Sequence, residues 1–228
     1  MKQSILAFVL VALLFASSAF AQEKEKCDGV CPATTATSVA SDDDKQAAGQ
    51  CPIEAAMAKL PAIAYKVGDE SACCANSAAA MAKKAGKPIQ YIVAEKSFDS
   101  EQTAFVSLVE QTEKFVTDFT TPCKCEVSGV TKIAGKSCDC PIKSEETVSL
   151  VKAATEKVAM TYVVGKESCN CPVQAKELAS KSGEKTTYVV NGEKTECEMT
   201  GRLNLARAKY KAAVEALVKL EQPTAKIN

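Results

Sequence analysis

One stretch of text is written twice in this chain, 97 residues apart. Tyr65-Lys-Val67-Gly68-Asp-Glu70-Ser71 returns as Tyr162-Val-Val164-Gly165-Lys-Glu167-Ser168, and Tyr91-Ile-Val93 returns at the same offset as Tyr188-Val-Val190. Self-similarity at a fixed spacing confines a chain to duplicated or stacked units, since each copy carries the same local instructions. Tyr-x-Val followed by Gly, Asn or Asp and a second short run reads as a β-hairpin. The clearest case is Tyr188 to Cys197, where Asn191-Gly192 supplies a two-residue turn. A third hairpin is predicted over Val127 to Ser137, with Gly135 and Lys136 near its turn.

Helical patterns follow the hairpins. Phe105, Leu108, Val109, Phe115, Val116 and Phe119 keep helical spacing within Glu101 to Phe119, as do Leu203, Ala206, Tyr210, Val214 and Leu217 near the C-terminus. Shorter Ala-rich helices are predicted over Ala75 to Ala85 and Val173 to Ser180, with Gly86 and Gly183 as C-cap residues. A further helix is expected from Ser144 to Ala159. About five hairpin-helix units result, each too small to bury its own faces, so neighbours must share a core. The fold class expected is α+β: tandem β-hairpin plus α-helix (ββα) repeats in two pseudo-duplicated halves. The first half covers residues 51–121; residues 122–222 hold a central Cys-x-Cys hairpin unit and the second half, and 223–228 form a tail.

Twelve cysteines recur where a hairpin ends and a helix begins. Cys51-Pro52-Ile53, Cys140-Pro141-Ile142 and Cys171-Pro172-Val173 share one pattern. Pro favours the first helical position, which puts each preceding Cys at the N-cap, where unpaired amides and the helix dipole stabilise a thiolate. Cys74 before Ala75 is placed in the same way.

Pairs are equally regular: Cys73-Cys74, Cys123-Lys-Cys125, Cys138-Asp-Cys140 and Cys169-Asn-Cys171. Alternate residues of a strand share a face, with α-carbons about 6.6 Å apart, at the long edge for a disulfide and suited to two sulfurs converging on one ion. A hairpin joining Cys123-x-Cys125 to Cys138-x-Cys140 would close four thiolates around Zn(II) or Cu(I). Lys124, Lys132, Lys136 and Lys143, against Glu126 and Asp139, would offset the charge of such a site. The metal-ligand candidates are therefore Cys123, Cys125, Cys138, Cys140, Cys169, Cys171, Cys73, Cys74 and Cys197, with copper or zinc as the ion.

An even cysteine count in an exported chain equally supports disulfides, and the same hairpin would let Cys123 or Cys125 bridge Cys138 or Cys140. Cys27 with Cys31, and Cys197, are better read as disulfide partners.

The chain has no histidine, which removes Ser-His-Asp and Cys-His nucleophile pairs and Cys2His2 zinc sites. It has no Cys-x-x-Cys, so a thioredoxin-like enzyme finds little support, although Cys171 remains a candidate for thiol-disulfide exchange. Tyr65, Tyr91, Tyr162 and Tyr188 are read as hairpin packing rather than chemistry.

Export is read from the N-terminus. Lys2 precedes an apolar run from Ile5 to Phe15, and Ala19-Phe20-Ala21 gives a small-x-small cleavage pattern, so residues 1–21 read as a signal peptide. The run is shorter than the roughly 20 residues that span a bilayer, so no membrane-spanning segment is expected after cleavage. Residues 22–50, with the acidic run Asp42-Asp43-Asp44, read as a disordered polar lead-in. Cleavage takes Lys2 and no acid from 28 basic and 28 acidic residues, leaving 27 against 28. That balance, with no Trp, makes nucleic acid an unexpected partner.

The text Cys-Pro-(Ile or Val), spacer, Gly-Lys hairpin, Cys and a helix ending near a Tyr is similar to the small YHS/TRASH-like metal-binding modules. It runs from Cys171-Pro172-Val173 through Asn191-Gly192-Glu-Lys194 and Cys197 to Tyr210, with weaker echoes from Cys51 and Cys140. The resemblance implies heavy-metal sensing or copper and zinc handling. Gln174 stands where such modules carry a further Cys, and the one expected just beyond Cys197 is missing, so only Cys171 and Cys197 carry over.

The function expected from these readings is an exported, periplasmic or extracellular binding protein without catalysis. It captures a soft metal ion on Cys thiolates and buffers it or delivers it to a protein partner. The alternative is a disulfide-stapled structural or interaction repeat protein with no metal.

Overall fold

The hairpins are set by tight turns whose backbone enters the left-handed region. Ala94-Glu95, Ala134-Gly135 and Asn191-Gly192 have positive φ at both turn residues, and Gly68 and Gly165 have it at the first. Turns of this kind match the twist of paired strands, which fixes five two-residue hairpins and their registers. In the computed structural model, which describes residues 51–125, 130–138 and 140–221, each hairpin leads directly into a helix. Residues 1–50, where the sequence predicts a signal peptide and a polar lead-in with Cys27 and Cys31, and the expected tail at 223–228 lie outside the described residues.

The first sheet contains β1 (Ala64–Val67), β2 (Glu70–Ala72), β3 (Ile89–Val93) and β4 (Lys96–Phe98) in the order β2-β1-β3-β4, antiparallel throughout. Between its hairpins runs α2 (Ala75–Ala85), and α3 (Glu101–Thr120) follows. A three-stranded sheet comes next, with β5 (Cys123–Lys124), β6 (Thr131–Ile133) and β7 (Lys136–Cys138) in the order β5-β6-β7, leading into α4 (Pro141–Glu156). The last sheet has β8 (Met160–Val164), β9 (Glu167–Cys169), β10 (Thr186–Val190) and β11 (Glu193–Thr195) in the order β11-β10-β8-β9. Its helices are α5 (Pro172–Ser182) and α6 (Glu198–Glu221), and a short α1 (Pro52–Met57) precedes the first sheet. The fold is thus mixed α+β with hairpins and helices in alternation.

One residue of each hairpin anchors it. Val67, Val93, Ile133, Val164 and Val190 close the first strand of the five hairpins, and each is at most 4% exposed. Two positions earlier, on the same face, stand Tyr65, Tyr91, Thr131, Tyr162 and Tyr188. Tyr65 is the register partner of Tyr91, with ring centroids 5.8 Å apart at 68°, and Tyr162 is the partner of Tyr188 at 5.7 Å and 68°. Edge-to-face pairs of this kind contribute beyond their buried area, which bears out tyrosine as hairpin packing.

Helices α1, α3 and α4 gather on α6, which at 24 residues spans about 36 Å, while α2 and α5 lie against the sheets. Leu203 joins Val93, Ala104, Leu108 and Val109 in one cluster, and Ala213 and Leu217 join Ile133 and Val151 in another. Between them Tyr210 is enclosed by Phe115, Phe119, Ile53 and Met57. Arg202 grips Glu113 of α3 with two parallel hydrogen bonds, Nε to Oε1 at 2.8 Å and Nη2 to Oε2 at 2.6 Å, a planar fork that fixes the crossing of the two helices.

Several predicted bounds shift by a turn or less. The helix expected from Ser144 begins at Pro141 and the one expected from Val173 at Pro172, because proline starts each first turn; Gly86 and Gly183 end their helices in the left-handed conformation. The hairpin predicted from Val127 is the β6-β7 pair, turning at Ala134-Gly135.

Candidate functional site

The thiols sit where the sequence places them along the chain. Cys51, Cys74, Cys140 and Cys171 are N-cap residues of α1, α2, α4 and α5. The Cys197 carbonyl accepts the Gly201 amide at 2.9 Å, which puts it at the same position of α6. Ser100 takes that place at α3, its hydroxyl accepting the Thr103 amide at 3.2 Å. So five of the six described helices begin on a cysteine, and the sixth on its oxygen analogue. Cys51, Cys74, Cys123, Cys138, Cys140, Cys169, Cys171 and Cys197 carry free thiols, and all but Cys138 and Cys169 are exposed.

At two junctions the surroundings favour thiolate. The amide of Ser77 draws the Cys74 thiol below its ordinary value, helped by the neighbouring Cys73 thiol; it acts as an oriented dipole, since no capping bond of full geometry forms. Cys197 is lowered first by the Thr200 hydroxyl and then by the amides of Thr200 and Met199. A thiolate, not a thiol, is the nucleophile, so alkylation of both should reach half its limiting rate at a pH below the ~8.5 of a free cysteine. In a peptide-resolved bromobimane titration, Thr200→Val should move the Cys197 midpoint upward and leave Cys74 in place. An unchanged Cys197 midpoint in that variant would contradict this origin of the shift.

Two pairs of sulfurs lie at single junctions. Cys73 and Cys74 bring their Sγ atoms to 3.9 Å at the end of β2. Cys169, at the end of β9, points its Sγ at the carbonyl of Cys171, 3.5 Å away.

The quartet in the central unit is not assembled as the sequence suggested. The strand carrying Cys123 pairs with one edge of β6, whose other edge is joined to β7 through the Ala134-Gly135 turn, and not with β7. Cys123 is the register partner of Lys132, and Cys138 that of Thr131. Lys132 and Thr131 are consecutive, so Cys123 and Cys138 face opposite sides of the sheet, and their strands lie roughly 10 Å apart across β6. Cys125, whose amide bonds the Val130 carbonyl at 2.9 Å, shares the Cys123 face. The same separation removes a direct Cys123–Cys138 disulfide. Among the described residues, no three or more Cys, Asp or Glu side chains form a group able to hold a metal ion.

Beside the thiol pairs stand the tyrosines, a neighbourhood that sequence reasoning missed. Burial raises Tyr65 above the ordinary phenol value, followed by the charges of Glu101, Tyr91 and Cys74. Tyr162 is raised by burial, then Glu198, Cys169 and Cys171, and Tyr188 by burial, then Glu198, Tyr162 and Cys197. The signal was present in Ser100-Glu101 and Cys197-Glu198, which stand at the 97-residue offset.

A groove of about 710 Å³ between α4 and α6 is lined by Leu150, Ala154, Ala212 and Leu220 with Lys157 and Lys211, and no cysteine reaches it. No helix among the described residues is long and apolar enough to cross a membrane. No family model, no curated protein and no solved structure matches the chain.

Proposed function

We propose that this chain is an exported binding protein that captures a soft metal ion, copper or zinc, on thiolates at its hairpin-to-helix junctions, and buffers or delivers it without catalysis. The observation that carries this reading is the Cys73–Cys74 pair. Its sulfurs, 3.9 Å apart, match the edge of a sulfur polyhedron around an ion at about 2.3 Å. The reading draws further support from the recurrence of cysteine at the other helix starts and from the absence of histidine, which leaves sulfur and oxygen as the side-chain donors. Cys169 with Cys171 forms a second two-cysteine junction in this scheme.

The architecture belongs to the same proposal. The strand orders β2-β1-β3-β4 and β9-β8-β10-β11 coincide when the second sheet is taken from its other edge, and Tyr, Val and Glu positions coincide at the 97-residue offset. These coincidences favour two halves copied from one ancestor, each of paired ββα units. The likeness of residues 171–210 to YHS/TRASH-like modules points to the same chemistry, and the leader at residues 1–21 to a periplasmic or extracellular setting.

The test is anaerobic loading of the reduced protein with Cu(I) or Zn(II), followed by elemental analysis and thiol counting. At least one ion should remain bound per chain, with Cys73 and Cys74 protected from alkylation. A metal-free protein, oxidised at every cysteine and losing stability on reduction, would refute the proposal and select the disulfide-stapled scaffold.

A further inference from the structure

The acidic run Asp42-Asp43-Asp44 has no part in the thiol chemistry, and the fold presents a surface of opposite charge within its reach. Along the groove between α4 and α6 stand Lys157, Lys211 and Lys219, over a lining that includes Ala208, Ala212 and Ala216. A second cleft, of about 370 Å³, continues it toward α1. The two share Asn191, Ala208 and Lys211, and the second adds Met57 and Arg207. Four basic side chains thus line one trough against two acids, Glu193 and Glu215, the latter 3.9 Å from Lys211.

The polar lead-in joins the described residues beside this trough. Cys51 opens α1, and the Tyr210 hydroxyl of α6 donates to the Ala56 carbonyl of that helix at 3.2 Å. Ala56 lies about 8 Å along α1 from Cys51, and Lys219 lies about 14 Å along α6 from Tyr210. The three aspartates precede Cys51 by seven to nine residues, so an extended chain carries them about 23–30 Å from it. That reach covers both lengths laid end to end. Residues 222–228, which follow α6, hold one lysine and no acid, so the charge match singles out the lead-in.

We infer that residues 42–50 dock in this trough, with Asp42, Asp43 and Asp44 set against its basic side chains, as an acidic strap that the chain supplies to its own α4–α6 face. Exposed ion pairs are individually weak and are screened by salt. The short tether compensates, because it holds the acids near the trough at an effective concentration of about millimolar. The lining contains no cysteine, so the strap is separate from the thiol junctions.

The full-length protein and its Asp42→Asn/Asp43→Asn/Asp44→Asn variant, both checked for folding by circular dichroism, are acetylated on lysine at low ionic strength and read site by site by peptide mass spectrometry. Lys157, Lys211 and Lys219 should react several-fold more slowly in the wild type than in the variant, and Lys176, exposed on α5, equally in both. At about 1 M salt, where the screening length falls to ~3 Å, the difference should vanish. In the wild type at low salt, a zero-length carbodiimide should join residues 42–44 to at least one of the three lysines within a single chain. Equal acetylation of those lysines in the two proteins, or cross-links from residues 42–44 only to other lysines or only between chains, would overturn the strap. Each of these readouts is independent of whether the thiols hold metal.

Discussion

Tyr210→Ala is expected to destabilise the protein by about 3–5 kcal/mol, the range for truncating a fully enclosed aromatic side chain. Tyr210 is 1% exposed and makes edge contacts with Phe115 at 5.3 Å and Phe119 at 4.7 Å. Its hydroxyl donates to the Ala56 carbonyl at 3.2 Å and so holds α1 against α6. Against a typical total of about 5–15 kcal/mol, the loss is large enough to populate unfolded chains. Urea unfolding followed by far-ultraviolet circular dichroism reads it directly. Tyr210→Phe, which keeps the ring, should cost only about 1 kcal/mol. Equal losses in the two variants would mean that the hydroxyl, and not the ring, secures the helix junction.

The second large effect is expected at Gly201. A Cβ there would lie 2.8 Å from Cβ of Tyr188 and 3.2 Å from both Cγ of Tyr188 and Sδ of Met160. The nearest of these atoms is fixed to the backbone of β10 and cannot swing aside, so α6 would have to lift from the sheet. Overfilling a packed interior costs about 1–3 kcal/mol, and Gly201→Val, with two further methyl groups, should reach or exceed the upper end. The neighbouring Tyr162–Tyr188 pair should report the shift as altered tyrosine emission in the folded variant. A Val variant with unchanged stability and emission would show that the helix can ride further out without penalty.

Most of the fold was legible because its signals are local. Asn191-Gly192 specifies a turn, Cys-Pro marks three helix starts, and Gly86 and Gly183 mark two ends, all within a few residues of the feature they govern. The 97-residue offset extended these readings across the chain. What escaped was strand order. Nothing in Cys123-Lys-Cys125 states whether its strand will pair with the first or the second strand of the next hairpin, and that choice separates the quartet. A one-position change of register moves a side chain to the other face, so periodicity in the sequence could not decide which thiols would meet. The nearness of Tyr65 to Glu101 and Cys74 was hidden for a related reason, since it depends on how a helix start falls against a neighbouring strand.

Ser100 stands at the start of α3 where five other helices begin with sulfur, and its helix is no less regular for the exchange. The anchoring valines and the α6 interior, by contrast, contain no cysteine. Reactivity in this molecule is therefore written on a margin that the scaffold does not depend on. A lineage could retire or recruit thiols at these positions one at a time while the architecture stays untouched.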